Sequence, residues 1–68
     1  MFVSSPLGRD FKSWATSVAA EDGSFPAATD EVNWRSWAAQ VAMLTASAPK
    51  PDHYANWREW ALDWIAAA

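Results

Sequence analysis

Hydrophobic residues in this chain recur with the spacing of one face of an α-helix, and they do so three times. Each series places apolar residues at i, i+3, i+4, i+7 and i+8, the positions that share a helical face. The series begin at Phe11, Trp34 and Trp57, so successive copies are separated by 23 residues. We therefore predict an all-α fold with three short amphipathic helices, one in each copy.

The three copies also agree residue by residue around their aromatic positions. Each copy has an aromatic residue, a basic residue, a variable residue, Trp and Ala in that order, as in Trp34-Arg35-Ser36-Trp37-Ala38. Val18, Val41 or Trp64 follows four positions after the Trp. We therefore describe residues 1–68 as one small unit. It contains three tandem repeats, at approximately 1–23, 24–46 and 47–68.

Capping and turn residues predict where the helices begin and end. Residues that are favourable at a helix start precede each series: Ser5, Thr29 or Asp30, and Asp52. Gly23 is a natural stop for the first helix. Pro26 and Pro49 favour extended backbone in the connectors between helices. The expected helices span about 6–21, 30–46 and 52–66.

Two arrangements of the helices are compatible with these patterns. In one, the aromatic stripes converge in a small three-helix core, where the Ala after each Trp leaves room for large rings. In the other, each helix lies in a groove of a larger protein and the connectors bridge equivalent grooves. We narrowly favour docking, because the six indoles would each need an N–H acceptor in a core and because a repeated surface accounts for a repeated sequence.

Size, charge and composition limit the functions of the chain. It has 68 residues and no cysteine, which allows one small domain without disulfides or thiolate metal sites. Its net charge of −3 and its scattered basic residues argue against nucleic-acid binding. Its apolar runs are too short to cross a bilayer, and its acidic polar faces argue against membrane-surface binding. Residues 1–6 lack a signal-peptide pattern, which predicts cytoplasmic synthesis.

The polar residues of the sequence do not combine into an active site or a metal site. His53 could pair with Asp52 or Asp30, but neither a Cys nucleophile nor an oxyanion hole accompanies it. Glu59 and Asp63 are spaced i, i+4, and nothing supplies the remaining ligands of a metal ion. We therefore expect no enzyme activity, no catalytic residue, no metal or cofactor, and no small-molecule substrate.

The expected contacts with a protein partner come from the stripes and from the basic residue beside each stripe. That basic residue could cover an indole through a cation–π contact, or it could pair with a carboxylate of the partner. Trp and Arg are also common among the residues that dominate binding energy. The residues that we assign to protein binding are Phe11, Trp14, Val18, Trp34, Trp37, Val41, Trp57, Trp60, Trp64, Lys12, Arg35 and Arg58.

One stretch of the third repeat is similar to sequences in a known group of proteins. Asn56-Trp57-Arg58-Glu59-Trp60-Ala61, preceded by Pro51-Asp52-His53-Tyr54, resembles short stretches in small uncharacterised proteins of tailed bacteriophages. In those proteins a Trp-Arg-x-Trp-Ala helix follows a Pro/Asp-rich connector. The first repeat departs from the motif, with Phe11 and Lys12 in place of Trp and Arg. The resemblance implies a minor virion component, such as an adaptor, cement or fibre-joining piece, without catalytic residues.

The sequence-based hypothesis is a non-enzymatic structural or adaptor protein. Its tandem aromatic helices would bind repeated or symmetry-related surfaces of a larger assembly, such as oligomeric virion proteins, and it would become part of a virion after cytoplasmic synthesis. The alternatives are a free-standing three-helix regulator or inhibitor of one protein target and a Trp-rich peripheral membrane binder. Circular dichroism and sedimentation of the isolated chain would distinguish these three functions.

Overall fold

The computed structural model describes residues 5–21 and 23–67. In these residues the chain forms three α-helices: α1 (Phe11–Glu21), α2 (Trp34–Leu44) and α3 (Trp57–Ala67). Short 3-10 turns at Glu31–Asn33 and Pro51–His53 precede α2 and α3. The described residues contain no strand, so the predicted all-α class is confirmed. The signal-peptide prediction falls mostly on residues 1–4, which lie outside the described part.

The predicted helix starts were too early in the first and third repeats, whereas in the second the predicted start, Asp30, caps a 3-10 turn that leads directly into α2. Each α-helix begins at the first aromatic residue of its repeat, and α2 already ends at Leu44, because Thr45 is extended with φ −139° and ψ 133°. In the first repeat Gly8 has a φ of +76°, a left-handed conformation that cannot continue an α-helix. In the third repeat the 3-10 turn that begins at Pro51 does not continue into α3, because Tyr54 is extended with φ −109° and ψ 137°.

In the first and third repeats, the residue immediately before the first aromatic residue caps the α-helix. The Asp10 Oδ1 atom accepts a hydrogen bond from the Ser13 backbone N–H at 2.8 Å. The Asn56 Oδ1 atom accepts the equivalent bond from Glu59 at 3.0 Å. In the second repeat the cap lies earlier, where Asp30 Oδ1 accepts from the Asn33 N–H at 3.1 Å. A side-chain cap at this position satisfies a backbone donor that the helix itself cannot satisfy.

The cap at Asp10 should make the stability of α1 depend on acid pH. The backbone N–H and then the side chain of Ser13 hold the pKa of Asp10 below its ordinary value of 3.8, with a smaller attraction from Lys12. A carboxyl whose pKa is lowered by folding stabilises the native state above its unfolded pKa, and this contribution is lost as the pH falls through the folded pKa. Asp10→Asn keeps a good capping residue but removes the charge.

We therefore expect wild-type protein to lose stability relative to Asp10→Asn as the pH falls below about 4. Urea unfolding of both proteins at a series of pH values between about 5 and 2 measures this difference directly. The other carboxyl groups are shared by the two proteins and cancel in the comparison. Parallel loss of stability in the two proteins would contradict the assigned role of the Asp10 charge.

The aromatic stripes of the three helices converge in one hydrophobic core. Trp14, Trp37 and Trp60 are fully buried, and so are the alanines that follow them in the sequence. The Cα radius of gyration is 10.4 Å, and the principal extents are 26 × 22 × 20 Å. The chain by itself therefore adopts the compact arrangement and not the opened one that we narrowly favoured from the sequence.

Candidate protein-binding surface

The second aromatic residues of the three repeats meet at the centre of the core. The ring centroids of Trp14, Trp37 and Trp60 are 5.8, 6.1 and 6.1 Å apart in the three pairs. The interplanar angles of these pairs lie between 73° and 88°, which is the edge-to-face geometry that aromatic rings prefer. The three Trp residues at the equivalent repeat position thus lie together, at nearly equal distances from one another.

The first aromatic residue of each repeat contacts the second aromatic residue of the next repeat, and the third repeat contacts the first in the same way. Phe11 lies 5.7 Å from Trp37, and Trp34 lies 6.2 Å from Trp60. The third repeat returns to the first, since Trp57 lies 5.4 Å from the Trp14 ring. We call this set the cyclic contacts. Because the repeats pack on one another in a closed order, the repeated sequence is accounted for by the fold of a single chain.

The indole N–H groups find acceptors in the connectors, which removes the main objection to a compact core. Trp37 Nε1 donates to the Pro26 carbonyl at 2.9 Å, and Trp60 Nε1 donates to the equivalent Pro49 carbonyl at 2.6 Å. Trp64 Nε1 donates to Ser47 Oγ at 3.1 Å. Among residues 5–21 and 23–67, every buried side-chain nitrogen or oxygen has a hydrogen-bond partner. The two aligned prolines thus provide the same acceptor to two equivalent indoles.

The two arginines beside the stripes cover indoles of their own repeats. The guanidinium carbon of Arg35 lies 4.7 Å from the Trp34 ring centroid, and that of Arg58 lies 4.8 Å from the Trp57 centroid. Arg58 Nη2 also donates to the Arg9 carbonyl at 2.9 Å, and Arg35 Nη2 donates to a carbonyl of the third repeat. The predicted cation–π contact is therefore confirmed for both arginines, which also tie each repeat to the next.

The structure places most of the predicted binding residues inside the molecule. Lys12, Arg35 and Arg58 are exposed, whereas the other nine are in the core and contact one another. Of these nine, Trp34 and Trp57 line a surface depression of about 280 Å³, which they share with Glu31 and Val32. The nine core residues are Phe11, Trp14, Val18, Trp34, Trp37, Val41, Trp57, Trp60 and Trp64.

Large apolar side chains are exposed on the opposite side of α2, which the sequence reasoning missed. Val32 is 89% exposed, Met43 is 86% exposed and Leu44 is 54% exposed. We call this surface the α2 outer face. Its exposed residues are Val32, Ser36, Ala39, Gln40, Met43 and Leu44. Residues 36–49 include no charged residue, whereas the exposed Glu31 and Arg35 lie at the Val32 end of the face.

The positions of Val32, Met43 and Leu44 have small or charged residues in the other two repeats. Arg9 and Ala55 correspond to Val32, and alanines correspond to Met43 in both other repeats. Glu21 and Ala67 correspond to Leu44. A comparison of the outward positions across the repeats would have identified this face from the sequence alone.

Met43 lies between two shallow depressions at the C-terminal end of the face. One depression, of about 190 Å³, is lined by Ala39, Ala42, Met43, Lys50, Pro51 and Asp52. The other, also about 190 Å³, is lined by Gln40, Met43 and Leu44. The α2 outer face thus extends past the helix onto the connector that leads to α3, with one cation and one anion at that border.

Of Glu59 and Asp63, the pair that we considered as metal ligands, Asp63 instead accepts a hydrogen bond from Tyr54. Tyr54 donates its hydroxyl hydrogen to Asp63 Oδ2 at 2.7 Å, and this bond raises the pKa of Tyr54 above its ordinary value of 10.0. In residues 5–21 and 23–67, no three His, Cys, Asp or Glu side chains cluster closely enough to hold a metal ion. None of the helices in those ranges has the length and hydrophobicity of a membrane span.

Comparison with known proteins adds no relative to this picture: no family model, curated protein or solved structure matches the chain.

Proposed function

We propose that this protein is a non-enzymatic structural or adaptor protein that binds a larger protein assembly through the α2 outer face. The observation that carries the proposal is the exposure of Val32, Met43 and Leu44 on one side of the molecule. Scattered surface hydrophobic residues are ordinary, whereas several large exposed ones along one helix face, with no charged residue over residues 36–49, are typical of an interaction site.

The other two repeats show whether Val32, Met43 and Leu44 are needed for folding. The first and third repeats build the same helix and the same core contacts without large apolar residues at most of these positions. Transfer of a Leu or Met side chain from water to a buried site is worth about 1.5–3 kcal/mol. This gain is not realised on folding at Met43, so it remains for a contact with another molecule.

Because the aromatic stripes are buried, the residues that contact a partner are not those of the stripes. The aromatic residues form the core, and the α2 outer face is the surface that contacts a partner. Arg35 and Arg58 hold adjacent repeats together through carbonyl contacts. Lys12 is exposed on α1 and is the one predicted cation for which we keep a role at the border of a partner surface.

A second candidate function is the free-standing regulator or inhibitor of a single protein target. The compact core favours it, because a chain that folds alone needs no assembly to order its helices. The two candidates use the same surface and differ in whether the partner is one molecule or a repeated subunit. The virion as the setting rests on the Trp-Arg-x-Trp-Ala motif alone, and mass spectrometry of purified particles would test it.

Site-specific photo-crosslinking in the cells that produce the protein tests the proposed function. A benzoylphenylalanine at position 43 should form covalent adducts with protein, whereas the same residue at position 20 should not. Ala20 is the repeat equivalent of Met43 and is also exposed, so the two probes differ only in the face on which they lie. Equal crosslinking at the two positions, or none at position 43, would contradict the assignment of binding to the α2 outer face.

A further inference from the structure

We infer that the α2 outer face binds the same face of a second copy of this chain, so that the protein associates as a weak, two-fold symmetric dimer. This inference rests on the proposed function of the α2 outer face as a protein-binding surface, and it names a second copy as the protein that covers the face when the larger assembly is not bound. A two-fold interface requires a surface that is complementary to itself. The following features of the face meet that requirement.

The first feature is the distribution of charge. Each chain has a net charge of −3, so two copies repel one another on average. The outward positions of α3 include Glu59 and Asp63, which would bring like charges together in a symmetric contact. The outward face of α1 has Arg9 and Glu21 at its two ends and only small or polar residues between them, so it offers no large apolar side chain to a second copy.

The α2 outer face has no charged residue over residues 36–49. Its borders have Glu31 beside Val32 at one end and Lys50 with Asp52 at the other, so an antiparallel pair brings Glu31 of one copy towards the Lys50 end of the other. The face therefore combines large apolar side chains with the absence of like charges that two copies would have to bury.

The second feature is the order of large and small side chains along the helix. Ser36, Gln40 and Met43 share one line of the helix surface, and Val32 precedes them by one turn. In an antiparallel pair related by a two-fold axis, Val32 of one copy lies beside Met43 of the other. Ser36 and Ala39 then lie nearest the axis, where small side chains allow two helices to approach closely.

The size of the face sets the strength of the association. A stable interface uses about 20–30 residues from each partner, whereas the α2 outer face provides its six exposed residues and the adjoining connector. Such a contact belongs to the small, transient class of interfaces. We therefore expect a dissociation constant on the order of 0.1 mM, with monomers predominating at low micromolar concentration.

Sedimentation equilibrium of the full chain between about 10 µM and 1 mM tests the dimer. Wild-type protein should pass from monomer to dimer over this range, and Met43→Glu should weaken the association at least about tenfold. Ala20→Glu introduces the same charge at the equivalent position of α1 and should leave the association unchanged. A wild-type monomer at 1 mM would overturn the inference, and so would equal weakening by the two substitutions.

Disulfide trapping tests the position of the axis separately. The chain has no cysteine, so Ser36→Cys and Ser13→Cys each introduce a single thiol at equivalent, exposed positions. Two thiols join readily only when their Cα atoms come within about 7 Å. Air oxidation at about 0.5 mM should therefore give a covalent dimer with Ser36→Cys much faster than with Ser13→Cys. Equal rates for the two variants would overturn the two-fold arrangement.

Other occupants of the face give different results. Pelleting with vesicles of phosphatidylcholine and phosphatidylglycerol that Met43→Glu abolishes, from a chain that is monomeric at 1 mM, would assign the face to a lipid surface and overturn the dimer. A monomer whose position-43 crosslinker captures only a different protein would also overturn the dimer, while the proposed function would stand. Covalent capture of a second copy supports the dimer, and capture of a different protein as well supports the proposed function.

Discussion

Replacing Trp37 with Ala is expected to cost about 3–5 kcal/mol of the free energy of unfolding and to leave the isolated chain largely unfolded at 25 °C. The side chain is fully buried and packs edge to face against Phe11, Trp14 and Trp60. Its indole also donates to the Pro26 carbonyl, which would lose its partner. A core in a chain of this size rarely supplies more than about 3–5 kcal/mol in total.

Near-ultraviolet circular dichroism and urea unfolding measure this effect. The near-ultraviolet signal of the packed indoles should disappear and the cooperative urea transition should be lost. Met43→Ala is the matched control, because it truncates a large exposed side chain of the same helix and should change stability by less than about 0.5 kcal/mol. A loss below about 1 kcal/mol for Trp37→Ala would contradict its place at the centre of the core.

Replacing Ala15 with Leu is expected to destabilise the protein by about 1–3 kcal/mol even though it adds apolar surface. Ala15 is fully buried between the helices, directly after the central Trp14 in the sequence. The equivalent alanines, Ala38 and Ala61, are buried to the same degree. A larger side chain at any of these positions would force the neighbouring rings away from their edge-to-face geometry, because protein cores have little free space.

The control for this substitution is Ala20→Leu on the same helix. Ala20 is exposed, so Leu has room there and its helix propensity is close to that of Ala. The midpoints of urea unfolding should therefore separate the two variants, with Ala15→Leu shifted to lower urea and Ala20→Leu close to wild type. If Ala15→Leu were as stable as wild type, the tight packing of the core around Ala15 would be wrong.

The sequence predicted the helical class and the buried positions better than it predicted the helix boundaries. The aromatic period marks the core-facing residues because burial is what selects them, and Trp14 and its equivalents are all buried. Ser5 and Asp52 look like helix starts because their side chains are good caps, but the left-handed Gly8 and the turn at Pro51 end those segments after a few residues. Local capping preference cannot show whether the following turn continues.

The sequence also suggested a partner surface for residues that the chain uses internally. A repeat is expected both of a chain that meets the same surface several times and of a chain whose parts meet one another. Only the three-dimensional contacts distinguish the two, such as those between Trp57 and Trp14, which are far apart in the sequence. The pattern that the repeats share does not reveal the α2 outer face, because Val32, Met43 and Leu44 are positions at which the repeats differ.

The cyclic contacts have a consequence for how such a protein can evolve. In an open solenoid each added unit stacks on a free end, so the length of the array can change and the stability grows with it. Here the third unit packs back on the first, through Trp57 and Trp14, and neither end of the array remains free. A fourth copy would find no edge to extend, and loss of one copy would break two of the three interfaces. Duplication and deletion, the usual means by which tandem arrays vary, are therefore closed to this architecture.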